Sequence, residues 1–300
     1  MHRIYIKAVI ACLLWGSAFA GAKIGFQYVE PVLLSGMRFT LAGLLLFPVM
    51  RMRKVDIIAE LKHWRFILLF AFVQTFLQYG LFFIGLNKVP GAISAIIIGA
   101  SPLFIALMAH LTLKNDKLTF RKITAITLGL AGVVFISMTS SDITSGDSSF
   151  YVGIGLLILS NIVGSYTNIM VVKRKSDNIS PVALTSFANL FGGIMLIVAA
   201  FIVEKPEIKI YPVEFYFALL WLAIIPAAAF TLWYSLLQRP EIKVSELNIW
   251  KFLIPVVGCT LSWLILPNES PDISSVIGII VIIFSLILLQ IPKGYFKQKI

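Results

Sequence analysis

A lysine and an arginine set in the middle of apolar sequence are the first residues to explain. Lys251 lies in NIWKFLIP and Arg38 in SGMRFTLA, each about seven residues into an otherwise uncharged stretch. A charge inside hydrocarbon costs several kcal/mol unless it finds a partner or a watery path. The chemistry such cations offer is electrostatic capture of an anionic group such as a carboxylate; the alternative for each is to snorkel toward the interface. Amides and hydroxyls recur nearby at helical spacing: Gln74 and Gln78; Asn161, Ser165 and Asn168; Thr231, Ser235 and Gln238; Asn248, Lys251 and Pro255. Each set falls on one helix face and points inward, either to hydrogen-bond a neighbouring helix or to line a cavity. Trp15, Trp233 and Tyr234 add aromatic walls or core packing, whereas Trp64 and Trp250 suit interface anchoring. The candidate substrate-binding set is therefore Trp15, Arg38, Gln74, Gln78, Asn161, Ser165, Trp233, Tyr234, Asn248 and Lys251. Pro102, Pro226 and Pro255 sit inside apolar stretches, where a missing backbone donor makes a hinge or a packed kink.

Bond-making chemistry is not legible. All 14 acids lie in loops or at segment ends, which argues against a midplane proton relay and against a metal-cation pore. The three histidines, His2, His63 and His110, are not arranged as ligands, and Cys12 and Cys259 stand alone within apolar runs. No HExxH, no phosphate-cradling GxxxxGK[ST] and no GxSxG occurs. We expect no enzyme, no metal site, no cofactor and no ATP drive within this chain.

The elements that must position these residues are membrane helices. The chain is 59% hydrophobic and only 13% charged, against about a quarter charged for a soluble domain. Apolar runs are predicted over 4–24, 32–50, 64–86, 91–113, 123–139, 151–172, 182–203, 213–237, 245–266 and 273–291. Most are long enough to cross about 30 Å of hydrocarbon. The start carries Arg3 and Lys7 but runs straight into further spans, so it reads as a first helix and not as a cleaved signal. With the N-terminus inside, nineteen of the 25 lysines and arginines fall in cytoplasmic segments. Lys23, Lys88, Lys205 and Lys209 fall opposite, and Arg38 and Lys251 lie within spans. That alternation supports the span count and orientation. It also accounts for the net charge of +11 without nucleic acid, because anionic lipid attracts basic loops.

Five spans per half is an odd number, so a repeated second half inserts upside down. Pro31-Val32-Leu33-Leu34 with Gly43 matches Pro181-Val182-Ala183-Leu184 with Gly193, Gly16-Ser17 matches Gly164-Ser165, and Pro102 with Asp116 matches Pro255 with Glu269. The polar stretch Ser140–Phe150 separates the halves. Leu14-Trp15-Gly16, Met37-Arg38-Phe39, Ser101-Pro102-Leu103 and Asp116-Lys117-Leu118 together resemble the EamA-type members of the drug/metabolite transporter superfamily. The second half departs from that pattern at Val163, where a tryptophan is usual, and near Pro240–Ser245. The resemblance implies ten helices, cytoplasmic termini, and a path between halves for amino acids, other metabolites or drugs, with export as its direction.

The expectation is thus an all-α membrane protein of ten transmembrane helices in two inverted five-helix repeats, over 4–139 and 151–291. It would act as a secondary transporter or permease of small organic metabolites, amino acids included, in a bacterial inner membrane, as a monomer or homodimer in contact with lipid. A carrier or flippase of a lipid-like substrate is the alternative.

Overall fold

The computed structural model describes residues 2–89, 94, 97–137, 148–207, 210–265 and 273–290. Among them, ten helical segments follow the predicted apolar runs. They are α1 (His2–Gly25), α2 (Pro31–Met52), α3 (Trp64–Lys88), α4 (Ser101–Thr112), α5 (Phe120–Ser137), α6 (Ser148–Lys173), α7 (Pro181–Val203) and α8 (Val213–Leu237). They end with α9, built of Val244–Ile249 and Leu253–Ile265, and α10 (Ile273–Gln290). A short surface helix, Ile57–Leu61, capped by Asp56, links α2 to α3. Of these, α2, α3, α6, α7 and α8 are each long and apolar enough to cross a membrane. The predicted linker 140–150 falls largely outside the described residues, as do Glu269, Asp272 and the end of the chain.

The outer surface shows which solvent the fold is built for. Large apolar side chains stand exposed along the spans, with Ile202 at 69% and Phe217 at 68%, beside Leu44, Trp221 and Phe284. In water such a continuous belt would drive association; hydrocarbon accommodates it. Polar residues turn inward instead, among them Ser35, Thr75, Ser165, Thr185, Asn189 and Asn248, all buried.

Helix pairing obeys the inverted repeat. The large α2–α7 and α5–α10 interfaces each join a helix to its own repeat partner. The others come in exchanged pairs: α1 on α8 and α6 on α3, α1 on α9 and α6 on α4. At the centre of the α2–α7 crossing, Gly43 faces Leu190 and Ser186, and its equivalent Gly193 faces Thr40. The Ser186 hydroxyl donates to the Gly43 carbonyl at 2.8 Å. A Cβ at Gly43 would lie 2.6 Å from the Leu190 backbone nitrogen, so the two helices would have to part. Gly43→Ala is expected to cost about 1–3 kcal/mol through overpacking, read as a lower unfolding midpoint in detergent.

Carboxylates clamp helix starts across the halves. Glu204, just after α7, accepts from the Val32 and Leu33 amides at 2.8 and 2.9 Å, at the start of α2. Conversely Glu60, in the short surface helix after α2, accepts from the Ser180 amide before α7 at 3.0 Å. Each satisfies amides that the first turn of a helix leaves without partners. Burial raises the Glu204 carboxyl above its ordinary range, the two amide bonds lower it, and nearby Glu30 raises it again, leaving it raised.

Candidate functional site

The winding is irregular at three places around the interior. In α3 the stretch Ala71–Leu77 is wound as a π-helix, the wider winding that recurs at functional sites. In α9 the stretch Trp250–Phe252 is 3₁₀ and carries Lys251. Just before α4, the Ala100 amide bonds the Ile97 carbonyl and the Leu103 amide bonds the Ala100 carbonyl. These tight turns of α4 and α9 each precede the proline of the respective helix, Pro102 and Pro255. A side chain of the opposite-half helix reaches each turn: the Asn161 amide group donates to the Ile97 carbonyl, and the Cys12 thiol to the Trp250 carbonyl at 3.3 Å.

Between the halves lies a cavity of about 160 Å³. Trp15, Arg38, Gln74, Gln78, Asn161, Ser165, Trp233, Tyr234 and Lys251 all line it, together with Pro226. Asn248 stands behind the wall: its amide nitrogen donates to the Val244 carbonyl at 2.8 Å and lies 3.4 Å from the Asn168 oxygen. Pro102 and Pro255 lie outside the lining. Tyr79, Phe83, Phe230 and Asn168 also line the cavity and were not in the candidate set, though the helical spacing had marked Asn168. An aromatic ring within an apolar helix carries no sequence signal that separates wall from core.

The charges in this cavity have one sign. Among the described residues its lining contains Arg38 and Lys251 but no aspartate or glutamate. Arg38, 7% exposed, has its guanidinium 4.5 Å from the Phe39 ring centroid, 4.9 Å from Phe83 and 5.4 Å from Tyr79. The Lys251 ammonium lies 5.1 Å from the Trp233 ring and 5.6 Å from Trp15. Cation–π contacts of this kind recover about 0.5–2 kcal/mol each, less than a buried charge gives up on leaving water. The rings continue from one cation to the other: Tyr79 meets Phe230 at 6.1 Å, Phe230 meets Trp15 at 5.5 Å, and Trp15 meets Trp233 at 5.1 Å.

Three donors of lining residues are buried without an acceptor: Arg38 Nε, Trp15 Nε1 and Gln74 Nε2. By contrast Trp233 Nε1 donates to the Asn168 oxygen at 3.1 Å. Buried donors left unpaired cost about 1–3 kcal/mol each, and a ligand bearing acceptors removes that cost. Trp15→Phe keeps a ring beside Lys251 and deletes one such donor. It is expected to leave the unfolding midpoint unchanged or higher and to weaken an acceptor-bearing ligand about threefold to tenfold. Ligand affinity equal to wild type would remove Trp15 Nε1 from the site.

At the end of the bundle that holds the start of α1, the basic end, lies a second buried polar cluster. Asp116, 3% exposed in the loop after α4, accepts from the Lys122 ammonium and from both the hydroxyl and the amide of Ser245. Lys122 is itself only 1% exposed, and Glu246 lies within 3.9 Å of Lys122, Arg121 and Lys243. Burial drives the Asp116 carboxyl upward, but the Lys122 and Ser245 bonds outweigh it and hold it below the ordinary carboxylate range. This cluster ties the first half to the opening turn of α9.

A helical membrane bundle of two inverted repeats around a charged central cavity is the form of a transporter. Comparison with known proteins is consistent with that class. A profile described as the EamA-like transporter family matches residues 2–138 and 152–291, and the chain belongs to that family. It is 20% identical over 94% of its length to an uncharacterized transporter, YoaV of Bacillus subtilis, covering 94% of that protein. It is 23% identical to an S-adenosylmethionine/S-adenosylhomocysteine transporter of Chlamydia trachomatis serovar L2, over 89% of this chain and 82% of the relative. One solved crystal structure superposes with a TM-score of 0.84 at 18% identity, covering 97% of both chains, which shows the shared fold. The family and these relatives are transporters and not enzymes.

Proposed function

We propose that the chain is a secondary transporter that carries small organic metabolites bearing a carboxylate, amino acids among them, by alternating access around the central cavity. The observation that carries this reading is the cavity's charge: among the described residues its lining has two cations, three unpaired donors and no acid. Buried cations with no carboxylate partner are places for an anion to bind, and the aromatic walls suit an apolar remainder of the substrate. The substrate contacts we assign are the nine candidate residues on the wall, with Asn248 orienting Asn168 from behind. The two halves, 4–139 and 151–291, rock against each other, with the tight turns at Pro102 and Pro255 as hinges and Pro226 flexing the wall. The basic loops support a cytoplasmic N-terminus in a bacterial inner membrane; export follows the resemblance described above, and a monomer is the form we assign because the cavity is lined by one chain. The chlamydial relative, named as an S-adenosylmethionine/S-adenosylhomocysteine transporter, supports a small organic metabolite as the class of substrate.

The experiment is a thermal-shift screen of the purified protein in detergent against amino acids, organic acids, nucleosides and cationic drugs. A ligand that binds the folded state raises the unfolding midpoint by mass action. Stabilisation confined to carboxylate-bearing compounds, and lost in Lys251→Ala, is the expected result. Stabilisation by cationic drugs alone would overturn the reading, and stabilisation by lipid headgroup compounds alone would favour a lipid-like substrate.

A further inference from the structure

The two cations belong to opposite ends of the bundle. Arg38 lies seven residues into α2 from the far end of the bundle, and Lys251 lies seven residues into α9 from the basic end. At about 1.5 Å of rise per residue each backbone position is roughly 10 Å along its helix, so the two cations enter the cavity from opposite ends. The aromatic run Tyr79, Phe230 and Trp15 fills the interval. No carboxylate among the described residues pairs with either cation, and one unpaired donor accompanies each end: Arg38 Nε itself, and Trp15 Nε1 in the ring beside Lys251.

Resting on the function proposed above, we infer that the cavity is a two-ended anion site whose preferred substrate carries two anionic groups, one held by Arg38 and the other by Lys251. A monoanion leaves one buried cation uncompensated, and an uncompensated charge in low dielectric is what such a site penalises. A dianion with its charges at the ends and an apolar middle neutralises both cations and lays that middle along the rings. A cationic group finds no acid among the described lining residues, and the rings nearest each end already face a cation.

The test uses the purified full chain in detergent with succinate, glutarate and adipate, each compared with butyrate, valerate and hexanoate of matching length. Apparent affinities come from the dependence of the unfolding midpoint on ligand concentration. At least one dicarboxylate is expected to bind about tenfold or more tightly than its monocarboxylate, as one further charge-assisted contact provides. Arg38→Gln and Lys251→Gln should each bring that ratio down to about one, because each leaves a single cation. Arg38→Lys keeps the charge and should keep the preference, which guards against Arg38→Gln failing to fold. Equal binding of mono- and dicarboxylates, or an unchanged preference in Lys251→Gln, would overturn the two-ended site while leaving a carboxylate transporter standing. No stabilisation by any carboxylate would overturn both readings.

Discussion

Lys251→Ala is expected to abolish substrate flux in proteoliposomes while leaving insertion and helical content intact. The separation of these two effects follows from the surroundings of Lys251. Removing one member of a buried ion pair is costly because its partner is left charged and alone. Among the described residues Lys251 has no such partner: its ammonium faces the rings of Trp15 and Trp233. Alanine at this position therefore relieves a buried cation and forfeits ring contact, and the two changes oppose each other in stability. In binding they do not oppose. The substrate's anion loses its charge partner, a loss of about 2–5 kcal/mol for a hydrogen-bonded charge in low dielectric. That corresponds to a flux reduced by about a factor of 30 or more at fixed low substrate. Lys251→Arg, which keeps the charge on a shorter stem with a larger planar head, should retain part of the flux. Wild-type flux in a correctly inserted Lys251→Ala protein would remove Lys251 from the substrate path.

Lys251 was legible in the sequence, and the reasons bear on what was not. An ammonium in an apolar run is conspicuous because hydrocarbon excludes it. Gln78, Asn161 and Ser165 were legible for the same reason, helped by helical spacing that put each on an inward face. The ten apolar runs and their charge alternation carried the fold, since span length is dictated by bilayer thickness. Tyr79, Phe83 and Phe230 were not legible, because a ring in an apolar helix is equally at home against lipid, core or cavity. The π-wound stretch Ala71–Leu77 contains neither proline nor glycine, so nothing local announced it. Asp116 is the instructive miss. An acid between Lys114 and Lys117 reads as a solvated loop charge, yet it is buried against Lys122 and Ser245. The 14-residue interval from Pro102 to Asp116, repeated from Pro255 to Glu269, was the available hint, and it marked the repeat without revealing the burial.

Asp116→Ala is expected to destabilise the protein by about 3–5 kcal/mol, the cost of stranding a buried charge. Lys122, almost wholly out of solvent, would lose its short partner and keep only the Lys117 carbonyl at 3.0 Å and the distant Glu246. The Ser245 amide and hydroxyl, at the first turn of α9, would both lose their acceptor. Adding Lys122→Met should restore a large part of the loss, since an apolar replacement of a buried pair is often nearly neutral. The double-mutant cycle therefore separates a stranded charge from simple loss of packing. The pH dependence has a definite sign. Because the Asp116 carboxyl is held below its unfolded value, its contribution is present at neutral pH and lost as pH falls through the depressed folded value. Glu204 acts oppositely: its raised folded value favours the protonated form, so folding gains as pH falls through it. Asp116→Asn should flatten the acid limb of the unfolding midpoint against pH while leaving the Glu204 contribution in place. The same bond set ties the loop after α4 to the first turn of α9 at the basic end of the bundle, so its loss is expected to loosen that end. A cysteine introduced at Ser165 on the cavity wall should then react faster with a membrane-impermeant maleimide added from the basic side. Unchanged labelling together with the stability loss would make Asp116 a packing residue, and faster labelling would make its cluster the closure that alternating access must break.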